Sequence, residues 1–259
     1  PSNTPGKENR VYRKPKGVVG VIGPWNFPFH LALRSIAPAI ATGNSVVVKP
    51  ASDAPVTAGL LIADLFEEAG FPAGVLNVVV GRGSEIGDDF LTHPIPKVFS
   101  FTGSTEVGSH IGELAGKHIK ETTLELGGNN VMIVLEDADI DKAVEAAAFG
   151  KYLHQGQICM AINRVIVHEQ VHDKFVKAFK EKVESLKAGD PFEEDTVIGP
   201  LINRDQVERI QKDMEESIQQ GARKLVDGDV EGNLMDPIVL TDVTNDMPIA
   251  SNEIFGPVM

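Results

Sequence analysis

Cysteine is the scarcest of the chemically reactive residues in this sequence. The 259 residues include a single cysteine, Cys159, so no disulfide can form within the chain. One cysteine among seven histidines also offers none of the ligand spacings of a structural zinc site, and we expect no metal. The lack of disulfides fits a reducing compartment, so we expect a cytoplasmic protein.

Long apolar runs and a surplus of positive charge are missing as well. No stretch approaches the roughly 18 consecutive apolar residues that a membrane-spanning helix needs. The 37 acidic residues outnumber the 24 basic ones, and the formal net charge of −13 repels phosphate groups. We therefore expect no nucleic acid and no membrane as a partner, which leaves small-molecule chemistry or protein partners.

The composition is that of a globular protein, with 42% apolar and 24% charged residues. The length suits one large domain or two ordinary ones. The chain opens in a polar stretch without an initiating Met and stops directly after an apolar turn. We expect it to be an internal fragment of a longer protein.

In the first half of the chain, short apolar runs alternate with segments of helical composition. Continuous apolar strands separated by helices predict a parallel sheet that helices cover on both faces. Such sheets bind ligands in the crevice beyond the carboxyl ends of their strands. The predicted strands are 17–22, 46–48, 77–80 and 97–101, and the predicted helices are 27–42 (interrupted at Pro38), 55–70, 84–92 and 105–118.

The second half has a different rhythm, with longer amphipathic helices whose apolar stripes indicate core faces. Pairs such as Asp205–Arg209 and Glu208–Lys212 are predicted to be surface ion pairs. We therefore expect an α/β protein with a parallel sheet in its first half and a differently built second half. The predicted strands are 131–135 and 164–167, and the predicted helices are 140–152, 170–187 and 204–220.

Two residues could carry nucleophilic and base chemistry. Cys159 follows Gly156-Gln157-Ile158 in a turn before a strand, where a thiolate could face a pocket, although a lone cysteine is more often a small buried hydrophobe. Glu125 is an acid within an apolar segment. Burial would raise its pKa and make it a general base. The alternative is an acid at an exposed strand edge or in a salt bridge.

Other candidates lie at the ends of the predicted strands. The Asn26 amide could donate to an oxyanion, although asparagine in such a turn more often caps a helix. Lys49 could anchor a ribose or phosphate, or simply be solvated. Gly81-Arg82-Gly83 and the segment 103–108 (GSTEVG) follow strands and open helices, which suits phosphate or dinucleotide binding. Neither is a standard G-x-G-x-x-G motif.

Taken together and in order, these segments resemble the aldehyde dehydrogenase superfamily. The segments 29–31 and 154–160 resemble benzaldehyde and vanillin dehydrogenases more closely than the aliphatic enzymes. The matching blocks are GPWNFP at 23–28, VKPA at 48–51, FTGSTEVG at 101–108, LELGG at 124–128, GQIC at 156–159 and EIFGPV at 253–258.

The resemblance implies the reaction and the catalytic residues. Cys159 would attack the aldehyde carbon, while the Asn26 amide and the Cys159 backbone N–H would stabilise the oxyanion of the thiohemiacetal. A hydride would leave for the nicotinamide, and Glu125 would activate the water that hydrolyses the thioacyl enzyme. The substrate would be an aldehyde, aromatic by the subfamily resemblance.

The resemblance also implies the binding residues. Lys49 would hold the adenosine ribose, Ser104 the pyrophosphate and Glu253 the nicotinamide ribose, with Phe255 beside the ring. The positions implied for cofactor binding are Pro24, Trp25, Lys49, Ser52, Gly81, Gly103, Ser104, Leu126, Gln206, Glu253 and Phe255. Those implied for an apolar substrate channel are Phe27, Leu31, Ile158 and Met160. Arg34 could face this channel or the surface.

Coenzyme choice is where the sequence departs from the family pattern. Strictly NAD-using members often have Glu three residues after Lys49, and this chain has Ser52. Ser neither binds the ribose hydroxyls strongly nor repels a 2′-phosphate. We therefore expect NAD, with tolerance of NADP.

The family also implies the fold class and the domain organisation, an α/β protein with a Rossmann-like parallel-sheet cofactor domain and an α/β catalytic domain. Residues 1–16 would be part of an oligomerisation hairpin, 17–126 the NAD(P)-binding domain and 127–259 a C-terminally incomplete catalytic domain. The full-length protein would be a homodimer or homotetramer.

Three other functions are open. A CoA-acylating dehydrogenase would need no hydrolytic base, so Glu125 argues against it. A structural or binding paralogue that has lost catalysis would not need Cys159, Glu125 and Asn26 together. A thiol hydrolase would need a histidine near Cys159, and His154 is the nearest candidate in the sequence.

Overall fold

The structure is a computed structural model that describes residues 4–259, and it divides into two compact units, Pro1–Leu126 and Gly127–Met259. The first residues of the predicted oligomerisation hairpin, 1–3, lie outside the described residues. Its remaining residues, 4–16, are exposed and contain a turn at 4–6 but no strand. Their role in oligomerisation stays a prediction.

The first unit is built on a five-stranded, fully parallel sheet with the strand order β3-β2-β1-β4-β5. The prediction of a parallel sheet with alternating helices is therefore confirmed. The strands are β1 (Val18–Ile22), β2 (Ser45–Lys49), β3 (Leu76–Val78), β4 (Pro96–Thr102) and β5 (Glu121–Glu125); the helices are α1 (Pro28–Ala41), α2 (Leu61–Glu68), α3 (Gly83–Thr92) and α4 (Thr105–Lys117).

Two predictions for this unit need correction. Helix α1 continues through Pro38, which lies near the end of the helix, where its missing N–H costs one backbone hydrogen bond. Strand β5 was not predicted, because its sequence Glu-Thr-Thr-Leu-Glu has no apolar run. It forms one edge of the sheet and alternates between exposed and half-buried residues. In addition, a π-helical turn at Val56–Leu60 precedes α2.

The second unit has a parallel strand pair, packed helices and short antiparallel pairs. The four shortest strands were not predicted, because runs of two to four residues give no clear period. The elements are β6 (Asn130–Val134), α5 (Ile140–Tyr152), β7 (Ile162–Val167), α6 (Glu169–Glu184), α7 (Arg204–Gln219), β8 (Arg223–Val226), β9 (Val230–Glu231), β10 (Leu234–Met235), β11 (Val239–Thr241) and α8 (Pro248–Ser251), with a 3-10 turn at Leu153–Gly156.

The apolar stripes of the long helices form the core of the second unit, as their spacing predicts. Phe175 and Phe179 of α6 stack with ring centroids 5.5 Å apart and pack with the alanine-rich face of α5. On α7, Val207, Ile210 and Met214 belong to a second buried cluster. These side chains are structural and contribute no candidate site residues.

Candidate active site

The strand order of the first unit defines where a ligand can bind. Chain order runs outward from β1 through β2 to β3 in one direction and resumes with β4 on the other side of β1. Helices from the two halves therefore diverge at the carboxyl ends of β1 and β4, which leaves a crevice there. The residues that follow β1 and β4 are therefore the first candidates for ligand binding.

Asn26 lies in the turn that leaves β1. Its side chain is 8% exposed, whereas the neighbouring Pro24 and Trp25 are half-buried. The N-cap position of α1 is Phe27, whose side chain makes no capping hydrogen bond. The roles considered for Asn26 stay predictions. Phe27 and Leu31, the two predicted substrate residues in this unit, are both half-buried. The Leu31 N–H donates to the Phe27 carbonyl over 2.9 Å.

The turn after β4 has the features of a phosphate site. Ser104 is the N-cap of α4, and its Oγ accepts a hydrogen bond from the Val107 N–H over 3.3 Å. A Cβ at Gly103 would overlap the Phe101 ring, so this tight turn requires glycine. The N-terminal N–H groups of a helix at the switch point suit a pyrophosphate. These residues therefore fit the pyrophosphate of a dinucleotide.

The end of β2 places a buried cation beside this crevice. Lys49 is 5% exposed, and its Nζ donates to the Pro50 carbonyl over 3.0 Å. Burial lowers the pKa of Lys49. Ser52 is exposed, with its Oγ 3.5 Å from the carbonyl oxygen of Gly81, which is also a predicted cofactor residue.

Glu125 ends β5, and its environment distinguishes the two alternatives. Its side chain is 57% exposed, so the acid at an exposed strand edge is the alternative that the structure shows, and the buried carboxylate is not. The carboxylate lies 3.9 Å from Nη2 of Arg34, which is also 3.5 Å from the Thr102 hydroxyl. Arg34 therefore lies at the carboxyl ends of β4 and β5. The next residue, Leu126, packs so closely on Gly108 of α4 that a Cβ there would overlap it.

In the second unit, Cys159 lies in the loop between the 3-10 turn and β7, and it is exposed. Its carbonyl oxygen accepts a hydrogen bond from Asn130 Nδ2 over 2.8 Å, and the same amide donates to the Ala161 carbonyl over 3.1 Å. The cysteine backbone is thus tied to β6. Of the two predicted substrate residues beside it, Ile158 is 6% exposed and Met160 is 71% exposed.

Two glycines pack against the cysteine loop and Glu253. A Cβ at Gly128 would lie 2.6 Å from the Cys159 carbonyl oxygen, and one at Gly127 would overlap the Glu253 carboxylate. The Gly128 N–H donates to Glu253 Oε1 over 3.0 Å. These close approaches explain why the segment needs two consecutive glycines.

Helix α7 holds the segment that carries Glu253 and Phe255. Gln206 Nε2 donates to the Phe255 carbonyl over 2.9 Å, and Arg209 Nη1 donates to the Glu253 carbonyl over 3.0 Å. Arg209 Nη2 also donates to the Ile254 carbonyl. Phe255 has a φ of 53°, an unusual conformation for a non-glycine residue. In this structure, Gln206 thus binds protein backbone, and its contact with a cofactor stays a prediction.

Sequence reasoning missed Arg209 and Lys151. Arg209 was predicted to pair with Asp205, but its ion pair is with Asp213 at 3.5 Å, because its guanidinium turns toward Glu253 and Ile254. Likewise Glu208 pairs with Arg204, and Lys212 with Glu216. Lys151 is fully buried. Its position on the buried stripe of α5 was the available signal.

The predicted site residues thus fall in both units. The first unit holds Pro24, Trp25, Asn26, Phe27, Leu31, Lys49, Ser52, Gly81, Gly103, Ser104, Glu125 and Leu126; the second holds Ile158, Cys159, Met160, Gln206, Glu253 and Phe255. Among residues 4–259, no group of three His, Cys, Asp or Glu side chains is arranged to hold a metal ion.

Comparison with known proteins decides the family. Residues 1–259 match the sequence pattern of the aldehyde dehydrogenase family. The chain belongs to this family. The resemblance inferred from the six blocks, and the fold class with it, is confirmed.

The relatives of this aldehyde dehydrogenase chain include enzymes for aromatic aldehydes. It is 59% identical to a vanillin dehydrogenase of Corynebacterium glutamicum over 261 residues, covering 100% of the chain and 54% of the relative. A benzaldehyde dehydrogenase of Bacillus subtilis is 56% identical over 259 residues, covering 100% of the chain and 53% of the relative. The chain thus spans about half the length of these relatives.

Solved structures agree. The crystal structure of an NAD-dependent benzaldehyde dehydrogenase from Corynebacterium glutamicum matches with a TM-score of 0.95 and 59% identity. This match covers 100% of the chain and 56% of the solved chain. Within residues 4–259, no helix has the length and apolar character to cross a membrane.

Proposed function

We propose that the complete protein oxidises an aldehyde to its carboxylic acid with NAD(P), and that the aldehyde is aromatic, such as benzaldehyde or vanillin. The observation that carries this proposal is the 59% identity with a vanillin dehydrogenase along the whole chain. The resemblance of its motifs to the family implies the catalytic roles of Cys159, Glu125 and Asn26. The local geometry supports it, because the cysteine is exposed on a loop whose backbone is fixed.

Cys159 performs the first step as its thiolate. The sulfur attacks the carbonyl carbon, a C–S bond forms, and the carbonyl oxygen becomes the oxyanion of a thiohemiacetal. The Asn26 amide and the Cys159 backbone N–H donate to this oxyanion. A donor of this kind typically contributes ~10²–10³ in rate. Asn130 and the close contact of Gly128 hold the cysteine carbonyl, so the neighbouring backbone is fixed before the substrate arrives.

A bound nicotinamide cofactor would supply the acceptor for the hydride that leaves the thiohemiacetal carbon. Ser104 and the first turn of α4 would bind the pyrophosphate, Lys49 the adenosine ribose, and Glu253 the nicotinamide ribose. The first unit supports this assignment through its parallel strand order and the glycine turn at 103. In the second unit, the Gly128 amide holds the Glu253 carboxylate.

Glu125 acts in the last step. Its carboxylate takes a proton from water, the water oxygen attacks the thioester carbon, and the C–S bond breaks to release the acid and the thiolate. Its exposure of 57% leaves it open to water, and Arg34 lies 3.9 Å away as the nearest described positive partner. General-base assistance of this kind typically contributes ~10²–10⁴ in rate.

For the coenzyme, we propose NAD with tolerance of NADP. One similar solved structure is described as NAD-dependent, which supports NAD. Ser52 is exposed beside Gly81 and brings no negative charge to the ribose site, so a 2′-phosphate would not be repelled. The cytoplasmic location and the homodimer or homotetramer stay predictions.

Steady-state oxidation by the full-length protein tests the proposal. Reduced-cofactor absorbance is followed with benzaldehyde, vanillin and a short aliphatic aldehyde, with NAD and NADP in parallel. We expect the highest kcat/KM with an aromatic aldehyde and NAD, and none in Cys159→Ala. His154→Ala should keep most of the turnover, whereas a thiol hydrolase would lose it.

Two outcomes would contradict the proposal. Folded protein that oxidises none of these aldehydes would indicate a paralogue without catalysis. Turnover that requires coenzyme A and yields the CoA thioester would indicate the acylating reaction instead.

A further inference from the structure

Lys151 is a buried cation that the proposed reaction does not use. It lies near the end of α5 with 0% of its surface exposed, on the same stripe as Val144, Ala147 and Ala148. Its Nζ donates to Asn163 Oδ1 over 3.0 Å, and Asn163 is 3% exposed. An ammonium has three N–H donors. Among the described residues, the structure gives this one a single acceptor.

Stability does not explain a lysine in this position. Removing an ammonium from water is costly, and replacing buried charges by apolar residues of similar volume is often neutral or stabilising. Burial lowers the pKa of Lys151 to about 7, with the Glu253 charge acting in the opposite direction. A methionine would fill the same space without this cost. The amine of Lys151 therefore calls for a functional explanation.

A chain of contacts leads from Lys151 to Glu253. Beyond Lys151, Asn163 Nδ2 lies 3.5 Å from the Gly128 carbonyl oxygen, at the limit of a hydrogen bond. The N–H of the same Gly128 donates to Glu253 Oε1 over 3.0 Å. Lys151 thus holds Asn163, Asn163 contacts the Gly128 carbonyl, and the N–H of the same Gly128 holds the Glu253 carboxylate.

Glu253 is a half-buried carboxylate. Burial raises its pKa, and the Gly128 N–H, Arg209 and Lys151 oppose that effect. Arg209, from α7, uses its guanidinium on the carbonyls of Glu253 and Ile254 and pairs with Asp213. The Gly128 N–H donates to the carboxylate itself, so the position of the Gly127–Gly128 turn sets the position of the Glu253 carboxylate.

We propose that Lys151 is a positioning residue for Glu253: its ammonium holds Asn163, and through Asn163 it fixes the Gly127–Gly128 turn that places the Glu253 carboxylate for the ribose hydroxyls of the nicotinamide cofactor. This inference rests on the cofactor role proposed for Glu253. Lys151 makes no contact with substrate or cofactor in this account and acts through the turn and the carboxylate.

Lys151→Met in the full-length protein is the first test, with Lys142→Met as the control. Lys142 is on the same helix and its side chain is 86% exposed. For Lys151→Met we expect KM for NAD to rise about tenfold, the scale of one lost charge-assisted interaction. KM for the aldehyde should change less than about twofold. A lysine needed only for packing would not separate the two KM values.

The pH profile distinguishes charge from packing. Lys151 is protonated below about pH 7 in the folded protein and loses its charge above it. The ratio of KM for NAD between Lys151→Met and wild type should therefore be largest below pH 7 and fall as pH rises. A ratio that stays constant with pH would overturn the charge role. Lys151→Gln keeps a donor for Asn163 without the charge, so its KM for NAD should lie between the values for wild type and Lys151→Met.

A double-mutant cycle tests the link to Glu253. In a Glu253→Gln background there is no carboxylate for the turn to place, so adding Lys151→Met should change KM for NAD by less than about twofold. The same rise in both backgrounds would overturn the inference. A wild type that oxidises no aldehyde would instead refute the proposed function, whereas an active wild type with an unchanged Lys151→Met refutes only this inference.

Discussion

At the scale of single residues, the site depends on backbone contacts that tolerate no side chain. Gly128 touches both parts of the second unit's site, with its N–H on Glu253 and its Cα side against the Cys159 carbonyl. The motif predicts a glycine here, but the reason is visible only in the structure. A Cβ at Gly128 would clash with the carbonyl oxygen of Cys159. This oxygen is a backbone atom, so it cannot rotate away as the end of a side chain could.

Gly128→Ala therefore tests how tightly the cysteine must be held. The new Cβ would lie 2.6 Å from the Cys159 carbonyl oxygen, so the loop must shift by several tenths of an ångström. We expect kcat to fall about 10²-fold, as for a misplaced reacting group, with the fold retained. Gly116→Ala is the control, because a Cβ there meets nothing within 4 Å. Equal kcat in both variants would contradict the assigned role.

Lys151 makes a prediction for stability against pH. Its pKa is about 7 in the folded protein and near 10.5 when unfolded, so between these values the unfolded chain binds more protons. Stability should therefore rise with pH across this window, and Lys151→Met should remove that part of the rise. Denaturant midpoints measured from pH 7 to 10 for both proteins check this. If the two proteins showed the same dependence of stability on pH, this result would contradict a buried Lys151 with a lowered pKa.

Ser52 makes a prediction for coenzyme choice. A carboxylate at this exposed position would repel a 2′-phosphate and could bind ribose hydroxyls. We expect Ser52→Glu to raise KM for NADP at least about tenfold while KM for NAD stays the same or falls. Ser52→Gln, of similar size and without charge, should leave the NADP value nearer wild type. A loss of both coenzymes alike would contradict an electrostatic cause.

The limits of sequence reasoning at this scale are physical. Cys159, Glu125 and Asn26 stand out because several motifs occur in the right order. The exposure of Glu125 could not be read from its apolar neighbours, since β5 is an edge strand and its alternate side chains face outward. Lys151 was missed because a lysine on an apolar helical face is usually expected to reach solvent, whereas this one is enclosed.

At the scale of elements, α7 acts as the support of the segment 252–255. Gln206 and Arg209 bind three successive carbonyls, and Asp213 accepts a bond from Asn252 Nδ2 over 3.3 Å. The sequence predicts the helix and its apolar face correctly. It could not show that part of the polar face turns toward another segment, because spacing alone does not distinguish solvent from a backbone carbonyl.

Arg209→Met should loosen this segment without unfolding the helix. Loss of the bonds to Glu253 and Ile254 removes restraints on a backbone that includes the unusual φ at Phe255. We expect faster amide hydrogen exchange across residues 252–256, with α7 itself unchanged. Lys212→Met, on an exposed part of the same helix, should exchange like wild type. Faster exchange throughout the unit would indicate general destabilisation instead.

At the scale of the whole chain, the parallel sheet of the first unit was the most predictable feature. Its central strands are continuous apolar runs that end in glycine or proline turns, and the strand order places those turns at a switch point. The short antiparallel strands of the second unit were not predictable, since they contain only two to four residues, and β8 and β11 pair with each other across the β9–β10 hairpin.

The chain contributes residues from both units to one proposed reaction. The first unit supplies Asn26, Glu125 and the residues proposed for the adenosine half of the cofactor; the second supplies Cys159 and Glu253. The proposed reaction therefore requires that Cys159 becomes acylated and that Glu125 assists the release of the acyl group. Both requirements can be examined in one variant.

The most direct test is to trap the thioester. Glu125→Gln in the full-length protein is mixed with benzaldehyde and NAD, quenched in acid and analysed by peptide mass spectrometry. The account predicts one reduced cofactor formed per active site in a burst, and a peptide containing Cys159 that is heavier by one benzoyl group. A rapid burst without acylation of Cys159, or turnover as fast as wild type, would contradict it.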